Sequence, residues 1–273
     1  MDYIFITNDV DTARYAQSCG VDRIMVDLEI TGKNERQGHL NTVISNHSLK
    51  DVANVRNVLN KSKLLVRVNP IHDNSKDEIN EVIRLGADIV MLPMFTTPKE
   101  VVEFISHIDG RVTVNLLLET PQALVRINEI LSISGINEIH IGLNDLHLGT
   151  GLKFMFELLS GGIVEYLSDK INAAGIKFGF GGIARLGQGM LDSSLILSEH
   201  YRLNSKMVIL SRDFHGGAKN YLELKESIDL KHEVDSINKY MNELNNITNE
   251  KLNYNRFQVI DKVRQIVNKN LIS

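Results

Sequence analysis

The feature that most constrains this chain is the regular return of short, β-rich apolar runs. They are YIFIT (3–7), RIMVDL (23–28), KLLVRVN (63–69), DIVMLPM (88–94), VTVNLLLE (112–119), EIHIGL (138–143), KFGFGG (177–182) and KMVILS (206–211). Each run is nearly continuous in apolar residues instead of alternating with polar ones. That pattern is typical of strands buried on both faces, as in a parallel sheet covered by helices.

Stretches with helical periodicity separate most of these runs. Examples are KDEINEVIRLG (76–86), PKEVVEFISHI (98–108), QALVRINEILSI (122–133) and GGIVEYLSDKINAAG (161–175). Eight strands alternating with helices within about 211 residues favour one closed barrel. An open doubly wound sheet is the alternative, but the turn after the first strand, NDVDTA, lacks the glycines of a dinucleotide-binding loop. We therefore predict an α/β fold, a (β/α)₈ TIM barrel over residues 1–213 that is the catalytic domain.

The tail, residues 214–273, contains no convincing strand. It is rich in Asn, Lys and Glu and shows helical patterns over 221–244 and 255–271. This length exceeds what the last barrel helix needs, which predicts a C-terminal helical extension. The extension either closes the barrel or packs on a neighbouring subunit, and the sequence leaves both open.

Composition excludes several classes of protein. The 273 residues are 43% hydrophobic and 23% charged with a net charge of -4, and no basic stripe suggests a nucleic-acid partner. No apolar run approaches the roughly 18 residues that a membrane span needs. The start, MDYIFITND, has no features of a signal peptide, and the single cysteine, Cys19, favours a reducing compartment. We expect a cytoplasmic protein that binds neither nucleic acid nor membrane.

Charged residues follow several strands at the end where a barrel of this type carries its active site. They are Asp27 and Glu29 after strand 2, Arg67 in strand 3, Glu119 after strand 5 and Asp145 after strand 6. Because strands 5 and 6 are neighbours, their carboxylates would repel each other unless a proton or a cation lies between them. Such a pair suits Mg²⁺, Mn²⁺ or another divalent cation, and a guanidinium suits a substrate carboxylate.

The ends of strands 7 and 8 carry glycines and arginines: Gly182 with Arg185, and Ser211 with Arg212. Loops at these two positions often bind phosphate in barrels. The alternative is that the glycines only permit a tight turn into the next helix. Gly182 and Arg212 are our candidate substrate-binding residues at this position.

An ordered set of motifs gives the chain a family resemblance. VDLE, VRVN, GADIVMLPM, LLLET and IGLNDLHLG, in that order, resemble the HpcH/HpaI aldolase and citrate lyase β-subunit family of phosphoenolpyruvate/pyruvate-binding barrels. The resemblance covers roughly residues 20–150 and continues more weakly to about 213. It implies that Glu119 and Asp145 ligate the metal and that Arg67 binds the carboxylate and oxyanion of a pyruvate or thioester-enolate unit. It also implies that backbone amides around Asn144 and Asp145 hold the substrate carboxylate.

The chain departs from this family where a proton acceptor is expected. Members carry a histidine or another acid just after the acidic strand-2 motif, whereas here DLE is followed by Ile30 and Thr31. Neither side chain can accept a proton. The remaining candidates are Asp27 and Glu29, with the histidines His39, His72 and His147 as weaker ones.

These observations predict a divalent-metal-dependent carbon–carbon lyase or aldolase that acts on a small 2-oxo acid or acyl unit. Arg67, Glu29 and Asp27 are the candidate catalytic residues. The alternatives are an acyl-CoA lyase of the citrate or malyl-CoA type, and a barrel that binds a phosphorylated or carboxylated metabolite without cleaving it. The resemblance and the apolar faces of the tail helices also predict a homo-oligomer.

Overall fold

The computed structural model describes residues 1–30 and 47–269, and its strands form one closed parallel barrel in sequence order. The strands are β1 (Asp2–Ile6), β2 (Arg23–Asp27), β3 (Lys63–Arg67), β4 (Ile89–Leu92), β5 (Thr113–Leu118), β6 (Glu138–Ile141), β7 (Lys177–Ile183) and β8 (Met207–Leu210). All eight coincide with the predicted apolar runs. The prediction of a (β/α)₈ barrel is therefore confirmed.

Helices cover the outside of the barrel in the described part of the chain. They are α1 (Val10–Ser18), α2 (Leu49–Arg56), α3 (Ser75–Arg84), α4 (Pro98–Ile108), α5 (Pro121–Val125), α6 (Ile127–Leu131), α7 (Leu143–Gly149), α8 (Glu157–Ser160), α9 (Ile163–Ala173), α10 (Ser193–Arg202), α11 (Tyr221–Ser227), α12 (Leu230–Leu244) and α13 (Asn249–Lys269). Among residues 1–30 and 47–269, no helix combines the length and hydropathy needed to cross a bilayer.

Two helical stretches that the sequence presents as continuous are interrupted. The 122–133 stretch divides at Arg126, whose guanidinium donates a hydrogen bond to the carbonyl of Thr96 (2.8 Å). The 221–244 stretch divides at Ile228, which is extended, and Asp229 then caps α12 through the His232 amide. Periodicity alone does not show either break, because it carries no information on local capping or on a distant contact such as that of Arg126 with Thr96.

The apolar core has two parts, as expected for a barrel. The larger part lies between the sheet and the helices, and the smaller part fills the barrel interior. The interior cluster consists of Ile4, Met25, Leu65, Ile89, Met91, Leu117 and Met207. Gly179 makes room for it, since a Cβ at this position would lie 2.2 Å from the side chain of Met207. The barrel is therefore filled and is not a pore.

The tail helices pack on the outer layer of their own barrel. The amide of Asn255 on α13 donates to the hydroxyl of Ser198 on α10 (2.9 Å), and the hydroxyl of Tyr240 on α12 donates to the carbonyl of Ser194 (3.0 Å). Arg256 forms an ion pair with Glu165 on α9. A role for these helices in contacts between subunits stays a prediction.

Candidate active site at the carboxyl ends of the strands

Glu119 is buried and tightly held at the end of β5. Its Oε1 accepts a hydrogen bond from the backbone N–H of Met94 (3.1 Å), just beyond β4. Met94 has a φ of 53°, a left-handed conformation that is unusual for a residue with a side chain. On the other side, a Cβ on Gly142 would lie 2.8 Å from both the Cβ and Oε2 of Glu119. The carboxylate is therefore confined between a strained amide and a glycine.

The sequence explains why the strand stops at this carboxylate. Thr120 follows it, and its hydroxyl accepts from the amide of Ala123 (3.1 Å) and donates to the carbonyl of Phe95 (2.7 Å). Pro121 then occupies the first turn of α5, where its missing N–H costs nothing. The buried strand thus ends in a helix cap, and Glu119 is the last inward side chain before it.

Asp145 lies in the first turn of α7, which begins directly after β6. Leu143 of the same turn packs against β7, because a Cβ on Gly181 would meet its Cδ1 at 2.8 Å. Besides burial, the negative charge of Asp145 contributes to the raised pKa of the Glu119 carboxyl. The two acids predicted as metal ligands are therefore electrostatic neighbours, and Asn144 lies between Leu143 and Asp145 on the same turn.

Burial raises the pKa of Glu119 to about 8, and the negative charges of Asp145 and Glu29 add to this effect. Arg67 and the Met94 amide act in the opposite direction but do not cancel it. Among the described residues, the charges that act most on Glu119 are thus two negative ones, Asp145 and Glu29, and one positive one, Arg67. A divalent cation between Glu119 and Asp145 would offset their repulsion, so the donor set fits a hard cation.

Arg67 is bound along one edge by Asp27. Its Nε and Nη2 each donate to a separate oxygen of Asp27 at 2.8 Å, and Nη1 lies 3.4 Å from Oε2 of Glu29. Burial by itself would lower the pKa of Arg67. The attraction of Asp27, Glu29 and Glu119 outweighs it and raises that pKa, so the guanidinium is charged at every relevant pH.

Asp27 has both oxygens engaged, which leaves it poorly suited to move a proton. Besides the two bonds from Arg67, its Oδ1 accepts from the backbone N–H of Glu29 (3.2 Å), and its own N–H donates to His47 Nδ1 (2.9 Å). Glu29 is equally buried but approaches Arg67 only at longer range. Both acids stay candidates, and of the two Asp27 is the one that binds Arg67 through both of its oxygens.

The other candidates for a proton acceptor have contacts of their own or lie outside the described residues. His72 pairs with Glu78 (3.2 Å) in the loop after β3, and the ring of His147 contacts the carbonyl of Leu143 (3.2 Å) in its own helix. Ile30 is exposed. Thr31 and His39 lie outside the described residues.

Gly182 and Arg212 lie at the ends of β7 and β8. The Ser211 amide donates to the carbonyl of Ile183 (2.9 Å), which joins the two strand ends. A Cβ on Gly182 would lie 3.2 Å from the carbonyl of Ile209 and 3.4 Å from Ser211 Cβ. Arg212 is exposed. Both are at the active-site end of the barrel, but they lie in or just after β7 and β8, whereas the candidate acids and Arg67 lie in or just after β2, β3, β5 and β6.

A groove of about 750 Å³ opens at the opposite, amino-terminal end of the strands, with Lys63, Asp88, Arg111 and Asn137 among its lining residues. Its polar groups are engaged in holding the strands. Asp88 accepts from the Leu64 amide (2.7 Å), and Asn137 accepts from the Val114 amide (2.8 Å). The candidate site lies at the other end, where the pKa of Glu119 is raised and where barrels of this type carry their active sites.

In the described part of the chain, no three His, Cys, Asp or Glu side chains converge as a metal-binding group. Two carboxylates are what the sequence predicted, and they suffice for Mg²⁺, which keeps several waters and substrate oxygens in its shell. The sequence reasoning missed Met94 and Gly142. The sequence features that could have pointed to these two positions are Pro93, directly before Met94, and the glycine itself at 142, directly after the apolar run of β6.

The comparisons decide the family. A model of the HpcH/HpaI aldolase/citrate lyase family matches residues 5–178, which is more than half of the chain. The chain belongs to this family. The resemblance read from its motifs is thereby confirmed, and the coarse assignment to aldolase- and lyase-type enzymes follows from it. No curated protein matches the chain at a significant level.

Solved structures of the same fold extend the comparison. An HpcH/HpaI aldolase from Desulfitobacterium hafniense DCB-2 is 14% identical, with a TM-score of 0.60 over 86% of this chain and 92% of that one. An HpcH/HpaI aldolase/citrate lyase family protein from Burkholderia cenocepacia J2315 is 12% identical, with a TM-score of 0.61 over 89% and 94%. The citrate synthase SbnG is 16% identical, with a TM-score of 0.57 over 77% and 86%. At these identities the likeness shows the shared fold.

Proposed function

We propose that this protein is a divalent-metal-dependent carbon–carbon lyase or aldolase acting on a small 2-oxo acid or acyl unit. The observation that carries the proposal is buried Glu119, on which the negative charges of Asp145 and Glu29 both act and whose pKa is raised to about 8. Excess buried negative charge is costly unless a cation compensates it. Membership of an aldolase and lyase family supports the same reaction class.

Arg67 is the substrate clamp in this proposal. A guanidinium has five N–H groups, and Asp27 takes two of them along one edge. The end that carries Nη1 keeps donors for the carboxylate and developing oxyanion of a pyruvate-type unit. Asp27 then acts as a positioning residue that fixes the plane of the guanidinium, and not as the proton acceptor.

Glu119 and Asp145 would hold Mg²⁺ or Mn²⁺. Such a cation supplies electrostatic stabilisation of the enolate that forms when a carbon–carbon bond next to a carbonyl breaks. Backbone amides around Asn144 and Asp145 would orient the substrate carboxylate, while Gly182 and Arg212 border the same end of the barrel.

Glu29 is our candidate for the proton transfer. It is buried, lies beside Arg67, and its negative charge acts on Glu119, which is a proposed metal ligand. The absence of an acid or histidine at Ile30 distinguishes this chain from the pattern expected in its family. Glu29 would have to take over the role that a neighbouring residue performs elsewhere.

The same departure supports a second candidate function. A barrel without an efficient proton acceptor would bind a carboxylated or phosphorylated metabolite without cleaving it. A third candidate, within the lyase class, is acyl-CoA chemistry of the citrate or malyl-CoA type. The likeness to a citrate synthase suggests only that this barrel architecture accommodates such chemistry.

Isotope exchange separates these candidates. The protein is incubated with Mg²⁺ and pyruvate in D₂O, and loss of the methyl proton signal is followed by NMR, with Glu119→Gln as the control. A parallel panel of aldehydes and CoA esters tests for bond formation. Exchange that requires both the metal and Glu119 supports the aldolase; tight pyruvate binding without exchange or turnover on any panel member supports the binding protein.

A homo-oligomeric state and a cytoplasmic location remain predictions. Size-exclusion chromatography with light scattering on the full chain tests the first of them directly.

A further inference from the structure

Arg185 differs from the other arginines with buried guanidinium nitrogens. Arg23, Arg67 and Arg202 each reach two carboxylates. Arg185 is half-buried, its Nε is inaccessible to solvent, and that Nε has no hydrogen-bond partner in the described part of the chain. A buried donor left unsatisfied is costly, most of all on a charged group.

The position of Arg185 links it to the active-site end. It lies two residues beyond Ile183, where β7 ends, and β7 is the neighbour of β6. Gly181 of β7 packs directly against Leu143 in the turn that carries Asp145. Arg185 therefore follows β7, the strand next to β6, and β6 is followed by the proposed metal ligand Asp145.

A second cation lies close along the same rim. The backbone hydrogen bond from Ser211 to Ile183 (2.9 Å) joins the ends of β8 and β7. Arg212 is the residue after Ser211, and Arg185 is two residues after Ile183. The charge of Arg212 acts on His215, whose ring packs against Phe5 of β1 (5.3 Å between centroids). The exposed carboxylate of Asp213 is the nearest acid in sequence.

No carboxylate of the described residues lies within ion-pairing distance of Arg185, so the charge of this guanidinium is not compensated by an acid there. Glycines flank the segment: Gly182 precedes it, and Gly187 follows with a φ of 73° and with no atom within 4 Å of the place where a Cβ would lie. Backbone without side chains leaves room for a ligand to approach the guanidinium.

We propose that Arg185 forms an anion subsite that binds a second acidic group of the substrate, a carboxylate or a phosphate. This proposal rests on the proposed function, because it assigns the first carboxylate to Arg67. It makes the preferred substrate a compound with two acidic groups instead of a simple monocarboxylate.

The test uses three probes that share one scaffold: pyruvate, oxaloacetate, which adds a carboxylate at C3, and 3-phosphonopyruvate, which adds a phosphonate there. Each is titrated by calorimetry into the full chain with Mn²⁺. We expect at least one dianionic probe to bind about 10-fold or more tightly than pyruvate, since a charge-assisted pair contributes on this scale. The probe with the larger gain identifies the acidic group.

In Arg185→Gln, the dianionic probe should bind no more tightly than pyruvate, and the affinity for pyruvate should stay within about twofold of the wild type. Arg185→Lys should keep part of the preference for the dianionic probe. Arg84→Gln, which removes an exposed arginine on α3, is the matched control and should change nothing. A dianion preference that survives Arg185→Gln overturns the proposal, and so does an equal loss of affinity for all three probes. Thermal melting verifies that each variant is folded.

Inorganic phosphate without metal separates failure of this subsite from failure of the proposed function. If pyruvate does not bind at all but phosphate binds and is lost in Arg185→Gln, the anion subsite stands and the lyase proposal is wrong. If neither a dianionic probe nor phosphate distinguishes the wild type from Arg185→Gln, the subsite proposal is wrong.

Discussion

Both ends of the barrel interior carry a buried glutamate, but the pKa of Glu138 at one end is lowered and the pKa of Glu119 at the other end is raised. At the amino-terminal end, Arg23 forms two bonds with Glu138 (2.5 and 2.8 Å) and also reaches Asp2, which Lys177 contacts at 2.8 Å. Burial opposes ionisation of Glu138, yet the bonds from Arg23 outweigh it and lower the pKa of that carboxyl. Two cations and two anions thus compensate each other.

At the carboxyl end the described acids outnumber the cation that binds them. Asp27, Glu29 and Glu119 all act on Arg67, and the pKa of Glu119 is raised to about 8. The comparison shows that burial alone does not mark a functional carboxylate, since Glu138 is as buried as Glu119. What distinguishes the active-site end is that burial and the charges of Asp145 and Glu29 raise the pKa of Glu119 in spite of Arg67.

The largest expected effects come from removing one acid at each end. Glu119→Gln should weaken Mn²⁺ binding by about 100-fold or more and leave the free energy of unfolding nearly unchanged, because it removes a repelled charge. Glu138→Gln should lower the free energy of unfolding by about 3 kcal/mol, because it leaves Arg23 buried and underpaired. Calorimetric metal titration and urea unfolding on both variants measure the two effects.

Each variant is the control for the other. Metal affinity lost in Glu138→Gln but retained in Glu119→Gln would reverse the assignment of the two ends.

Arg67→Lys tests whether the shape of the cation matters as well as its charge. Lysine keeps the positive charge but cannot bind both oxygens of Asp27 from one edge while presenting donors to a substrate. We expect turnover of the best substrate to fall by about 100-fold with a small change in stability. Steady-state kinetics provide the measurement, and near-normal turnover would show that the clamp role is wrong.

Gly142→Ala probes how tightly Glu119 is confined. The added methyl group would lie 2.8 Å from Glu119 Cβ and Oε2, so the carboxylate must move away from the metal position. We expect Mn²⁺ affinity to fall by about 10-fold. Gly175→Ala is the control, because it also adds a methyl group but into open space at a φ of 70°. The control should reduce stability without changing metal affinity, and equal metal affinity in both variants would contradict this role for Gly142.

The smallest effect concerns His140 on β6, on which the charges of Arg23 at one end of the barrel and Arg67 at the other both act. Burial lowers the pKa of His140 to about 4, and the charges of Arg23 and Arg67 both contribute. Because the unfolded chain takes up a proton near pH 6.5 and the folded chain does not, the free energy of unfolding should fall as pH drops through this window. Between pH 7 and 5.5, we expect the free energy of unfolding of His140→Gln to fall by about 1 kcal/mol less than that of the wild type. Denaturation of both proteins across this range checks it, and identical slopes would contradict the prediction.

The sequence predicted the barrel because its signal is local and repeated. Each buried parallel strand needs a continuous apolar run, and each crossover needs an amphipathic helix, so eight pairs leave few alternatives. It also predicted which residues end the strands. It missed the division at Arg126, because that break depends on a bond to Thr96, thirty positions away along the chain.

What the sequence determined by itself is the architecture, the family motifs and the set of charged strand ends. What the tertiary structure decided is how those charges act on one another: Asp27 binds Arg67, the charge of Asp145 helps raise the pKa of Glu119, and Glu138 is paired with Arg23. Strand and helix propensities are properties of neighbouring residues, whereas the pKa of a buried group depends on every charge around it. Those charges come from parts of the chain that only barrel closure brings together.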